Sequence, residues 1–266
     1  MATRLTGWRK ISAATWGPPT DPQIYGDLEL DARPLLAHQA ACRAAGHEVT
    51  MTHLVGKAVA HALAEHPDLN VRIHRGRAVR RDDVEIFFIA SAGGGDDLSG
   101  IKVAGAHQKA VTAIATEVAE RAGRIRGGDD ELGEAKALLD RMPTRLLRLV
   151  MALVAKLAVD WNLDLPSLGV RRQTFGSALV SSVGMFGITH AYAPLSRFYR
   201  VPFLVLIGEV EDRAVVDDGQ VVARPMLTVT ATLDHRYLDG FHAARLARSL
   251  KAYCADPTAH EPGVTP

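Results

Sequence analysis

Leu-Thr-Val-Thr-Ala-Thr-Leu-Asp-His-Arg-Tyr-Leu-Asp-Gly-Phe, which runs from Leu227 to Phe241, is the stretch that decides the fold. Its apolar residues alternate with polar or small ones up to Leu233, the period of a strand with one buried face. After Gly240 the apolar residues recur at helical spacing, so the segment predicts a strand, a tight turn and a helix. The turn carries His235 and Asp239. A lone histidine at a strand end is usually structural, but the complete His-x-x-x-Asp-Gly frame favours a chemical role.

This frame resembles one found in the acyltransferase cores of the 2-oxo acid dehydrogenase complexes and in the related chloramphenicol acetyltransferases. Two further segments follow the same family's order. Leu179-Val-Ser-Ser-Val-Gly-Met-Phe-Gly187 is similar to the acyltransferases' Ile-Ser-Asn-Leu-Gly-Met-Phe-Gly segment. Residues 54–63, followed by His66-Pro-Asp-Leu-Asn70, resemble the helix and Pro-x-Leu-Asn turn near the start of that domain. The resemblance extends from about Arg4 to Pro257.

The resemblance implies an α/β (α+β) fold of the chloramphenicol-acetyltransferase kind, a layered mixed sheet with flanking helices. Helical and strand patterns also mix along the chain without strict βαβ alternation, which argues against a dinucleotide-binding fold. We expect one catalytic domain over residues 1–257, with a helical insertion at about 127–172, and a flexible tail over 258–266.

Acyl transfer to a thiol needs a base, because an ordinary thiol has a pKa of about 8.5 and attacks as the thiolate. A neutral imidazole suits that task, so we predict His235 as general base. The resemblance assigns Ser181 to the oxyanion that forms on the thioester carbonyl, where a hydroxyl donor contributes roughly 2.7 to 4 kcal/mol. Ser182, the next residue, is the alternative candidate for this role. Asp239 is expected to hold the loop through an ion pair, and the resemblance offers Arg9 as its partner.

Composition excludes several other classes of protein. The 266 residues carry a formal net charge of +1, which gives no sign of a nucleic-acid surface, and 47% are hydrophobic, enough for a sizeable core. Cys42 and Cys254 form no Cys-x-x-Cys pair, so we expect packed thiols, neither a disulfide scaffold nor a metal site. The first ten residues lack the apolar core of a secretory signal, which favours a cytoplasmic protein.

Leu146 to Val159 is an apolar run in the predicted insertion. Arg148 and Lys156 interrupt it, so its uncharged length falls short of the ~18 residues that a membrane span requires. The pattern favours an amphipathic helix packed on the body or on a neighbouring subunit over an interfacial membrane anchor.

We therefore expect a stand-alone acyltransferase that moves an acyl group between a coenzyme A thioester and a thiol or other nucleophile. No lipoyl group is expected on this chain, and the expected partners are a lipoylated protein in trans or 2-oxo acid dehydrogenase components. The alternative is a non-catalytic scaffold or regulatory subunit of such a complex. The resemblance also implies a homotrimer, and the polar, Pro-rich C-terminal residues predict no larger shell.

Overall fold

The computed structural model describes residues 22–74, 77–92, 97–126, 143–165, 172–196 and 199–261. The strands are β1 (Gln23–Asp31), β2 (Val71–His74), β3 (Arg77–Arg80), β4 (Ile86–Ala92), β5 (Asp97–Val103), β6 (Ala178–Ser182), β7 (Phe203–Asp217) and β8 (Gln220–Asp234). The helices are α1 (Arg33–Ala44), α2 (Met51–Glu65), α3 (Val111–Arg126), α4 (Thr144–Ala155) and α5 (Gly240–Ala255). A π-helical turn, Lys156–Asp160, continues α4, and short 3₁₀ turns span Gly184–Phe186 and Thr258–His260.

Six strands form one mixed sheet in the order β1-β8-β7-β6-β4-β5. The pairs β7/β6 and β6/β4 are parallel, whereas β1/β8, β8/β7 and β4/β5 are antiparallel. Strands β2 and β3 form a separate hairpin, which the strand patterns of residues 71–73 and 77–80 predict. The layered mixed sheet with flanking helices is confirmed.

Alternate residues of the central strands face the helices and build the main core. The strand side of that core comes from Phe88, Val180, Val205, Ile207, Leu227 and Val229, all buried. Buried residues of α1, α2, α3 and α5 cover them, with Tyr253 of α5 among the largest fully buried side chains. Both cysteines are free and buried, as expected, and burial raises the pKa of Cys254 to about 12.

Most elements lie where the sequence pattern places them. Gly46, at φ +86°, follows the end of α1, and Thr50 caps α2, in agreement with the predicted boundaries. The sequence pattern predicts a strand from Ile101, but β5 begins four residues earlier, at Asp97, because it pairs with β4 as far as Ala92. The sequence also predicts a helix over 130–141 and a flexible loop over residues 93–97; this helix and most of this loop lie outside the described residues.

Residues 258–261, which the sequence places in a flexible tail, are folded against the body of the protein. Thr258–His260 form a 3₁₀ turn, and Glu261 is 2% exposed. Its carboxylate accepts hydrogen bonds from Val111 N at 2.7 Å and from the Tyr253 hydroxyl at 2.7 Å. A polar composition suggested a loose tail, but this buried carboxylate is satisfied by a helix N-terminus and a phenol.

Candidate active site

The turn after β8 is closed by hydrogen bonds that do not involve the imidazole of His235. Tyr237 N donates to the Asp234 carbonyl at 2.9 Å. The buried Asp234 carboxylate accepts from Arg236 N at 3.0 Å and from its Nε at 2.9 Å. His235 N donates to the Pro22 carbonyl at 2.7 Å, which ties the turn to the chain entering β1. The backbone of His235 is therefore fixed on both sides.

The ring of His235 is oriented by a carbonyl. Its Nδ1 lies 2.7 Å from the Leu238 carbonyl oxygen, and the residue itself is exposed. A carbonyl only accepts, so Nδ1 carries the hydrogen of the neutral ring, and Nε2 keeps its lone pair. This is the tautomer that a base acting through Nε2 requires.

Asp239 is the N-cap of α5. Its carboxylate accepts from Phe241 N at 3.0 Å and from His242 N at 3.2 Å. Nδ1 of His242 lies 2.8 Å from the same oxygen, and these contacts, led by the backbone N–H of His242, hold the pKa of Asp239 below its usual range. Asp239 thus holds the turn by starting the helix. Arg9, its expected partner, lies outside the described residues.

Ser181 and Ser182 are successive residues of β6 and point to opposite faces of the sheet. Ser182 lies on the helix-covered side with Val180, and its hydroxyl donates to the Ile207 carbonyl at 3.4 Å. Ser181 lies on the other side with Leu179, and its hydroxyl has no hydrogen-bond partner among the described residues. Ser181 is therefore the residue whose proton is available to another group.

Glycines fix the backbone just beyond Ser181. A Cβ on Gly184 would lie 2.5 Å from the Gly208 carbonyl oxygen, and a Cβ on Gly208 would lie 2.1 Å from that of Thr189. Gly187 has φ +74°, a conformation that glycine adopts without strain. The Gly-Met-Phe-Gly part of the motif thus brings three backbone segments into contact beside Ser181.

The structure does not bring His235 and Ser181 together within one chain. Ser181 pairs with Leu206, and Leu206 pairs with Thr230, so Ser181 lies two strands from β8 at the level of Thr230. His235 follows five residues further along. At standard strand dimensions their Cα atoms are roughly 19 Å apart, too far for the two side chains to act on one atom.

Sequence reasoning missed two groups that position the site. His242 stands three residues after the cap residue Asp239, the place where a capping-box residue reaches back, and that spacing is readable from sequence. The Leu238 carbonyl is a backbone group, and nothing in the sequence marks it as the acceptor for His235.

The comparisons with known proteins show the family of the chain. The sequence model of the 2-oxoacid dehydrogenases acyltransferase family (catalytic domain) matches residues 5–136 and 167–260. The chain belongs to this acyltransferase family. The motif strand β8, the His235 turn and the Ser181 strand all fall within the matched ranges.

Relatives of this family member include larger enzymes. The dihydrolipoyllysine-residue acetyltransferase component of the pyruvate dehydrogenase complex of Rhizobium meliloti is 25% identical over 246 residues, 90% of this chain and 46% of that protein. A probable dihydrolipoyllysine-residue succinyltransferase component of Schizosaccharomyces pombe is 33% identical over 92 residues, 34% of this chain and 20% of that protein. The chain thus spans at most about half the length of these two relatives.

Solved structures share the fold of this chain. A probable dihydrolipoamide acetyltransferase from Listeria monocytogenes superposes with a TM-score of 0.67 at 21% identity, covering 100% of this chain and 97% of that one. The cubic core of the pyruvate dehydrogenase multienzyme complex gives a TM-score of 0.66 at 22% identity, covering 91% and 84%.

Proposed function

We propose that this protein transfers an acyl group between a coenzyme A thioester and a thiol, with His235 as the general base. The hydrogen bond from His235 Nδ1 to the Leu238 carbonyl carries the proposal, because it leaves Nε2 as a proton acceptor on an exposed ring. The family match and the intact set of His235, Asp239 and Ser181 support it. A lipoylated protein acting in trans is the acceptor that the relatives' names favour.

In the forward step, His235 Nε2 takes the proton of the acceptor thiol, and the sulfur attacks the thioester carbonyl carbon. The carbonyl oxygen becomes an oxyanion. When this intermediate collapses, the bond to the sulfur of coenzyme A breaks and the proton on Nε2 passes to that sulfur. The Leu238 carbonyl, still accepting from Nδ1–H, stabilises the imidazolium present between the two transfers.

Ser181 is proposed to donate its hydroxyl proton to the oxyanion. Its separation from His235 within one chain means that such a site needs His235 of one protomer and Ser181 of a neighbour. We therefore propose a homotrimer in which each interface holds one site, the closed heterologous arrangement that gives three equivalent sites. Asp239 acts as a positioning residue through the cap of α5.

Subunit mixing tests this arrangement directly. His235→Ala and Ser181→Ala proteins are each prepared alone, then unfolded together in equal amounts, refolded, and assayed by release of free coenzyme A thiol. Random reassortment into trimers pairs an intact His235 with an intact Ser181 at about a quarter of the interfaces. We expect activity to return to about a quarter of the wild-type value.

Two results would overturn the proposal. The mixed protein could form trimers of normal mass and yet be no more active than the two variants added together. His235 and Ser181 would then not share a site. A wild-type protein that binds 2-oxo acid dehydrogenase components but turns over no acyl-coenzyme A with any thiol, amine or hydroxyl acceptor would instead identify a scaffold or regulatory subunit.

A further inference from the structure

Residues 137–166 form the internal stretch that lies outside both matched parts of the family's sequence model. This stretch contains α4 and the π-helical turn Lys156–Asp160. The family resemblance therefore assigns it no role. Among the described residues, no helix is long and apolar enough to cross a membrane.

One side of this stretch is fixed to the body of the protein. Ala158 and Val159 are buried, with Val154, Leu157 and Leu165 packed against them. Gln173 N donates to the Ala158 carbonyl at 3.1 Å, and the Arg72 guanidinium donates to the Val159 carbonyl at 3.4 Å. These contacts fix the orientation of α4 through its C-terminal end.

The same end lies beside the His235 turn. The Asp160 carboxylate is 3.5 Å from the Arg200 guanidinium. It also contributes to raising the pKa of Arg236, whose main cause is the hydrogen bond to Asp234. Asp160 thus shares its electrostatic surroundings with the residue that follows His235.

The opposite side of α4 is apolar and exposed. Leu146, Leu149 and Leu153 are 47%, 67% and 55% exposed. Their i, i+3, i+7 spacing places them on one stripe, about 10 Å long. Trp161 and Leu163 follow at 48% and 38% exposed. We call these five residues the leucine stripe. A helix that is apolar on both sides is normally covered on both.

Charge along α4 itself is of one sign, whereas Asp160, which pairs with Arg200, and the exposed Asp164 follow it beside Trp161 and Leu163. Residues 143–159 include Arg145, Arg148 and Lys156 and no acidic residue. Arg145 and Lys156 are exposed and form no ion pair with any carboxylate in the described part of the chain. Lys156 Nζ instead lies 5.4 Å from the ring centroid of Trp161. The apolar residues are therefore flanked by cations free to meet an anionic surface.

We propose that the leucine stripe docks on the surface of a lipid bilayer that contains anionic lipids. Leucines and a tryptophan that project from a convex helix, with lysine and arginine beside them, match the boundary between acyl chains and anionic headgroups. A second copy of the helix fits less well, because pairing would bring the exposed Arg145 and Lys156 of both copies together, with no acidic residue within 143–159 to offset them. The docked protein would hold the His235 turn close to the bilayer.

Vesicle flotation with the full-length protein tests the inference. Vesicles of phosphatidylcholine alone are compared with vesicles that also contain phosphatidylglycerol. We expect binding to the anionic vesicles, weakened by added salt because exposed charges are screened. Leu149→Glu should weaken binding about tenfold or more, since a leucine that enters the bilayer is replaced by a carboxylate.

Val216→Glu is the matched control, because Val216 is 75% exposed at the end of the β7–β8 hairpin, away from α4. It should bind like the wild type. A second variant, Arg145→Gln with Lys156→Gln, keeps the leucines and should lose the preference for anionic vesicles. Both α4 variants should keep wild-type acyl transfer to a soluble acceptor, so failure here is distinguishable from failure of the proposed function.

Equal flotation of the wild type and Leu149→Glu would overturn the inference. So would absence of wild-type binding combined with a lower oligomer mass for Leu149→Glu, which would make the leucine stripe a subunit interface. Binding to an acidic peptide but not to vesicles would also refute it.

Discussion

The two candidate catalytic residues occupy different ends of one sheet, and their surroundings are built in different ways. Around His235 the turn is held by hydrogen bonds to the Pro22 and Leu238 carbonyls and to the Asp239 carboxylate that caps α5. Beside Ser181 the backbone is held by close contacts that only glycine permits, at Gly184 and Gly208. Substitutions at the histidine end should therefore leave the fold intact but reduce activity. The serine end should lose stability when a single methyl group is added.

His235→Ala is expected to have the largest effect. Loss of a general base lowers rates by roughly 10²- to 10⁴-fold, while the exposed ring contributes little to the core. Release of free thiol from acyl-coenzyme A measures the rate, and thermal unfolding checks the fold. Unchanged turnover by a folded His235→Ala protein would show that His235 is not the general base.

Ser181→Ala should lower turnover by roughly 10²- to 10³-fold with little change in substrate affinity, because its donor acts on the oxyanion. Ser182→Ala is the matched control, since that side chain faces the helices. A larger loss in the control would mean that the site is displaced by one residue.

The helix capping box at the start of α2 gives a pH-dependent contrast to the one at Asp239. Nδ1 of His53 accepts from Thr50 N at 3.2 Å, and burial lowers the pKa of His53 to about 4. The unfolded chain binds this proton at about pH 6.5, so the free energy of unfolding should fall as pH drops from about 6.5 to 4. The total loss is about 3 kcal/mol.

His53→Gln retains an acceptor at the same capping position but does not titrate. Denaturant unfolding at several pH values should show a flatter profile for this variant than for the wild type. Parallel profiles would show that His53 is not the group responsible.

Gly208→Ala should destabilise the protein by about 1–3 kcal/mol, because its Cβ would meet a backbone oxygen. Gly240→Ala is the control: a Cβ there meets nothing within 4 Å, and alanine in the first turn of α5 is neutral or stabilising. Equal unfolding midpoints for the two variants would show that the close backbone contact at Gly208 does not require glycine.

Asp239→Ala should give the smallest change, a fall of a few degrees in melting temperature from loss of the N-cap. Asp239→Asn should restore most of it, since asparagine caps nearly as well. If Asp239→Asn slowed turnover at an unchanged melting temperature, Asp239 would belong to the chemistry as well as to the cap.

Periodicity located most elements because it reports which side of each strand or helix is buried. It identified β8, the turn and α5 from residues 227–241, as well as α2 and the hairpin of β2 and β3. It missed the start of β5, whose extent is set by its partner β4, and the burial of Glu261, whose partners are 150 and 8 residues away. Contacts between residues far apart in the sequence produce no pattern in the local sequence.

By itself the sequence determined the family and the layered mixed fold and predicted His235, Asp239 and Ser181 as candidate site residues, because these depend on residue type and short spacing. Tertiary structure decided the rest. It placed His235 and Ser181 two strands apart, chose the Leu238 carbonyl as the partner of His235, and left one side of α4 uncovered. Each of these depends on strand register or on contacts between distant segments, which residue order alone does not specify.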